Sequence, residues 1–203
     1  MKITQLIRLT PIFAAALLAS CVAPDTQHRV VVSVKDQKLA LLDKNAVAAI
    51  YPVSTSKFGL GDAPGRCQTP LGTLEVAQKI GAGAALGTVF KSRSRTGELV
   101  AANAAGRDPI VTRIIWLRGL EARNANAFRR YIYIHGTPEE RNIGRPASYG
   151  CIRMRSTDVV KLYDIVGTGA QVTITDSSLA AVIPGMSSAS AMRPENKGGF
   201  VVR

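Results

Sequence analysis

The chain has 203 residues, with 26 Lys and Arg against 14 Asp and Glu, a formal net charge of +12 and a pI near 10.1. A hydrophobic content of 46% excludes a disordered chain, and three cysteines exclude a disulfide framework. No CxxC or multiple-histidine spacing points to a metal, no glycine-rich loop has the strand and helix that phosphate binding needs, and no cofactor is expected.

At the N-terminus, Lys2 and Arg8 flank a short basic region, and Pro11 to Leu18 is apolar but too short to span a bilayer. Residues 1–20 are therefore expected to be a signal peptide. They end in Leu18-Ala19-Ser20-Cys21, which fits the bacterial lipobox, so Cys21 is expected to be lipidated and to become the mature N-terminus. An ordinary cleavage site with an accidental cysteine is the alternative, and both imply export. By resemblance to lipoproteins of diderm bacteria, Val22 in place of a retention aspartate implies the periplasmic face of the outer membrane. Cleavage removes two basic residues and no acidic one, lowering the charge from +12 to +10. An exported basic chain meets acidic peptides and anionic lipid headgroups rather than nucleic acid.

Residues 21–28 read as a short tether and 29–177 as one domain. Strand-like runs at 29–34, 38–42, 46–54, 73–78, 110–117 and 131–135 are bounded by turn formers. Cys67 precedes a Thr69-Pro70-Leu71-Gly72 turn and is either a small buried residue or the partner of Cys151 in a redox-sensitive bridge. Residues 81–106 are rich in Gly, Ala and Arg; their weak alternation fits equally a hairpin near the substrate groove or a surface insertion. One helix is expected with Ser156 as N-cap, running to Val166 and stopping at Gly167, followed by a strand at 171–175. The stretch 178–203, with its Pro, Gly, Ser and Ala, reads as a flexible tail. The whole predicts a mostly β domain with one packed helix.

Within it, Tyr131-Ile132-Tyr133-Ile134 delivers His135 to a loop, and Cys151 follows sixteen positions later in Ser148-Tyr149-Gly150-Cys151-Ile152-Arg153. His135 is the one histidine inside the predicted domain, so it is the base available to a cysteine nucleophile. A neighbouring imidazolium lowers a thiol pKa, and Arg141, Arg145, Arg153 and Arg155 add positive potential. Gly150 lets the backbone turn sharply, so that the N–H groups of Tyr149, Gly150 and Cys151 are candidate oxyanion donors. Ser148 suits a local turn hydrogen bond, and Arg153 either holds a substrate carboxylate or, the favoured reading, braces the loop.

These positions resemble the signature of the L,D-transpeptidases with a YkuD-type catalytic domain: His135-Gly136, a spacer, then Ser148-x-Gly150-Cys151-Ile152-Arg153. Tyr149 stands where that family usually has a second histidine, and the resemblance extends over residues 29 to 175. It implies a β-sandwich with one helix packed after the cysteine, and Gly136 orienting His135 through its carbonyl. It also implies peptidoglycan stem peptides as donor and acceptor, with release of D-alanine through a thioester. An L,D-carboxypeptidase or amide hydrolase with the same chemistry, and a non-catalytic peptidoglycan-binding lipoprotein, are the alternatives.

Overall fold

Ten strands in the computed structural model, which describes residues 23–187, form one continuous sheet. The leader, Cys21 and the chain beyond residue 187 lie outside the described residues. The strands are β1 (His28–Ser33), β2 (Lys38–Asp43), β3 (Ala46–Pro52), β4 (Gly72–Ile80), β5 (Thr88–Lys91), β6 (Ser94–Leu99), β7 (Ile110–Gly119), β8 (Tyr133–Gly136), β9 (Ile152–Met154) and β10 (Gln171–Thr175). Helix α1 (Ser156–Ile165) follows β9, and α2 (Leu179–Val182) follows β10. Order across the sheet is β3-β2-β1-β10-β4-β7-β5-β6, with β8 branching from β7 and β9 pairing with β8. Beyond β3 the chain reaches back to β9, where Ser54 and Arg153 exchange two backbone hydrogen bonds of 2.9 Å. The sheet thus folds over and closes, giving the mostly β, layered architecture expected of the sequence.

The inward residues explain the closure. Val30, Val32, Leu39, Leu41, Leu74, Ile115, Ile134, Ile152 and Val172 line one core, and α1 seals it with Val159, Leu162 and Val166. Alternation along the strands leaves Val31, Ala40 and Leu42 on the opposite face. Leu179 and Ile183 cover them, so the expectation of a flexible tail from residue 178 is corrected for 179–187. The physical reason is that β1 and β2 are apolar on both faces and require cover.

Three further differences concern the site. The hairpin left open by the sequence forms as β5–β6, with a two-residue turn between Lys91 and Ser94. Strand β8 starts at Tyr133 rather than 131, because Tyr131 has φ 58° and the N–H of Ile132 bonds to Ala127. Arg155, not Ser156, is the N-cap residue of α1. The Ser156 N–H donates instead to the Glu140 carboxylate at 2.8 Å, so capping comes from a residue sixteen positions away in the segment before Cys151.

Candidate active site

Strands β8 and β9 pair in parallel, with Ile134 opposite Ile152 and His135 opposite Arg153. Alternation sends Ile132, Ile134, Ile152 and Met154 into the core. Tyr133, His135, Cys151 and Arg153 therefore share the other face, which brings the two residues sixteen positions apart onto one side of adjoining strands. Across β8, Val111 pairs with Gly136 and Ile114 with His135, so Thr112 and Arg113 form a bulge in β7 beside the histidine. Thr112 is fully buried at φ 70°, an unusual backbone for a β-branched residue, and its hydroxyl donates to Ser156 Oγ at 2.8 Å.

His135 is buried, with Nδ1 2.8 Å from the Gly136 carbonyl oxygen. A carbonyl only accepts, so Nδ1 carries the proton and Nε2 presents a lone pair. Gly136 has no room for a side chain: a Cβ would lie 2.6 Å from the Val111 carbonyl oxygen and 3.1 Å from Thr112 Cβ. Burial lowers the His135 pKa to about 4; the neighbouring Arg153 charge pushes the same way, and the Gly136 carbonyl and Asp108 oppose it.

Cys151 Sγ donates to the Tyr131 carbonyl at 3.3 Å and accepts from the Tyr133 N–H at 3.4 Å. Packing against Trp116 and Tyr133 raises its thiol to about 11, although the Tyr133 N–H, Arg153 and Arg130 all favour the thiolate. The sequence expectation of a depressed thiol pKa is corrected accordingly. At neutral pH the pair rests as thiol and neutral imidazole, because desolvation penalises the charged form of each.

The loop before Cys151 is held from several sides. Ser148 Oγ donates to the Cys151 carbonyl at 2.6 Å and accepts the Gly150 N–H at 3.2 Å, the local turn bond expected of it. The second bond occupies the Gly150 N–H, so of the three candidate oxyanion donors those of Tyr149 and Cys151 remain. Gly150 has φ 121°, a backbone that favours glycine, and Thr69 Oγ1 of the Thr-Pro-Leu-Gly turn donates to its carbonyl at 3.0 Å. Arg153 is buried, paired with Asp108 at 2.5 Å, and donates to the Ala147 carbonyl at 3.2 Å, which is the bracing geometry. Arg141, Arg145 and Arg155 are exposed, and the first two are engaged with Glu139 and Asn142. Tyr149 is 58% exposed and lies under Lys57, whose Nζ is 4.5 Å from its ring centroid. Lys57, Tyr149, Asp108, Arg145 and Arg153 border a pocket of about 390 Å³ on the Arg153 side of the loop.

Sequence reasoning missed Asp108, Thr69 and the aromatic wall on the other side of Cys151. There Trp116 stacks on Phe128 at 4.1 Å, meets Tyr133 edge-on at 5.6 Å and lies 5.6 Å from Tyr131. The signal was the parity of Tyr131, Tyr133 and His135, which alternate with core isoleucines. Cys67 is a free thiol of intermediate exposure at φ 55°, not a buried core residue, and its neighbour Gln68 backs onto Gly150.

The family profile of YkuD, described as the L,D-transpeptidase catalytic domain, matches residues 27–174. The chain is 30% identical over 149 residues to "Putative L,D-transpeptidase YqjB" of Bacillus subtilis (strain 168), covering 73% of this chain and 72% of that protein. It is 27% identical over 153 residues to "Putative L,D-transpeptidase YkuD" of Bacillus licheniformis, covering 75% and 68% respectively. Among solved structures, an L,D-transpeptidase from Mycobacterium smegmatis aligns with TM-score 0.49 and 15% identity over 73% of this chain; the chain spans 58% of that one.

Proposed function

Because the chain belongs to the L,D-transpeptidase family, we propose that it cleaves and transfers peptidoglycan tetrapeptide stems through a thioester on Cys151. The observation that carries this reading is the His135 Nδ1 bond to Gly136, which leaves Nε2 as a base on the face shared with Cys151. In the first half-reaction Nε2 takes the thiol proton as sulfur attacks the carbonyl carbon of the third stem residue. Collapse of the tetrahedral intermediate breaks the C–N bond, and His135 returns the proton to the departing D-alanine amine. An acceptor amine then attacks the thioester, gives its proton to His135, and the thiol is restored.

Starting from a neutral pair suits this sequence, since the proton moves only when the substrate carbonyl is in place. The Tyr133 N–H at the sulfur supports the developing thiolate. The N–H groups of Tyr149 and Cys151 are the oxyanion donors, each contributing about 3 kcal/mol in the transition state. Arg153, held by Asp108 and Ala147, is a positioning residue that fixes the loop and adds its charge to the burial that keeps His135 unprotonated.

The test is mass spectrometry of the protein incubated with disaccharide-tetrapeptide, beside Cys151→Ala. Loss of D-alanine with an adduct on Cys151 and a dimeric product is expected. An adduct that yields only tripeptide would make the protein a hydrolase, and no adduct with any stem peptide would end the enzymatic reading. The lipobox further supports export and lipid anchoring at Cys21, to the outer membrane. A diacylglyceryl mass on Cys21, lost with release into the soluble fraction in Cys21→Ala, is the expected result; an unmodified Cys21 would refute anchoring.

A further inference from the structure

The two-residue turn of the β5–β6 hairpin places Ser92 at φ 48° and Arg93 at φ 69°. Such turns match the strand twist and favour Asn and Gly, because left-handed backbone is costly for a long side chain. Arg93 occupies that position and lays its guanidinium 5.0 Å from the Trp116 ring centroid and 5.1 Å from that of Tyr131. These rings are the wall against Cys151: its sulfur bonds to the Tyr131 carbonyl and its side chain packs on Trp116 and Tyr133.

Three buried or half-buried arginines on this side of the molecule are already engaged. Arg153 pairs with Asp108, Arg130 with Asp62 at 2.7 Å, and Arg113 donates to the carbonyls of Ala84 and Thr112. Arg93 makes no ion pair among the described residues. A guanidinium resting on aromatic faces keeps N–H groups along its edge, where a carboxylate can accept two parallel hydrogen bonds.

We infer that Arg93 is a specificity-determining residue that binds a carboxylate at the end of the donor peptide's third side chain, favouring diaminopimelate over lysine. The inference rests on the transpeptidase reading and adds the chemistry of substrate choice. In this reading the third residue's carbonyl sits at Cys151 and its side chain lies on the Trp116 and Tyr131 rings that Arg93 covers. Both side chains end in an ammonium, but only diaminopimelate adds the carboxylate that the guanidinium can hold through two parallel hydrogen bonds.

The full chain, Arg93→Gly and Arg93→Lys are compared on two disaccharide-tetrapeptides that differ only in diaminopimelate or lysine as the third residue. Glycine suits the φ of the turn, so Arg93→Gly keeps the hairpin. The wild type is expected to prefer the diaminopimelate donor by about tenfold or more in kcat/KM. Arg93→Gly loses that preference by slowing on this donor alone, and Arg93→Lys is intermediate. An equal fall on both donors, or none on either, would overturn the inference. Calorimetric Kd values of Cys151→Ala for the two peptides read the same choice without turnover. Equal affinities, or a preference unchanged when Arg93→Gly is added to Cys151→Ala, overturn the role of Arg93, while a preference lost with Arg93→Gly beside a wild type that turns over neither donor overturns the transpeptidase reading alone.

Discussion

His135 and Cys151 are each held in the uncharged form, and the two shifts have opposite consequences along the pH scale. The folded imidazole titrates near 4 against 6.5 for the ordinary group, so as pH falls from 6.5 toward 4 the unfolded chain takes up a proton that the folded one resists. Stability from this residue is complete above 6.5 and declines by up to about 3 kcal/mol across that window. Urea midpoints at pH 7 and 4.5 should converge for His135→Asn more than for the wild type. The Cys151 thiol is raised from 9.0 to about 11, so its contribution is complete below 9 and is lost as pH climbs through 11. Alkylation of the free enzyme should accordingly accelerate well above pH 9; a rate already at its plateau at pH 7 would contradict the resting thiol. Gly136 is the tightest point of the pair. Gly136→Ala forces a methyl against the Val111 carbonyl, with an expected cost of about 1–3 kcal/mol and a fall in kcat as His135 turns, read by thermal melting and steady-state assay.

Among the elements, α1 shows how far local pattern reached. Its apolar spacing was legible from Val159 to Val166, but its cap was not, because Glu140 lies in a different loop and only the folded chain brings it to the Ser156 N–H. Glu140→Ala should lower stability by about 1 kcal/mol with a matching shift in the urea midpoint, whereas substituting the neighbouring exposed Arg141 should not. The candidate site was legible for the opposite reason: His135-Gly136 and Ser148-x-Gly150-Cys151 are short runs whose residue types each serve one local requirement. Hairpin β5–β6 was hidden because β6 is exposed at every position, so no apolar alternation marks it, and its turn lacks the usual Asn or Gly. Asp108 escaped notice because its partner Arg153 is 45 positions away in sequence. The cover over β1 and β2 did leave a trace, since Val30-Val31-Val32 and Leu39-Ala40-Leu41-Leu42 are apolar without alternation, as strands buried on both faces are.

At the scale of the molecule, that cover makes the segment after β10 part of the domain. Leu179 and Ile183 are buried, and the Leu179 N–H donates to the Asp36 carboxylate at 2.7 Å. Ending the chain at residue 178 should therefore cost about 3–5 kcal/mol, visible in urea unfolding; unchanged stability would mean that α2 is dispensable. Closure of the sheet between Ser54 and Arg153 joins the segment after β3 to β9, two residues beyond Cys151, in one fold. Strand β1 has a further consequence. It lies inside the sheet, registered over six residues with β2 and five with β10. Tension applied at its N-terminal end would load both ladders in shear, many hydrogen bonds at once, rather than peeling them singly. A pull from that end would thus be shared by both ladders together before any of it reached β8 and β9, which branch from β7 on the far side of β4.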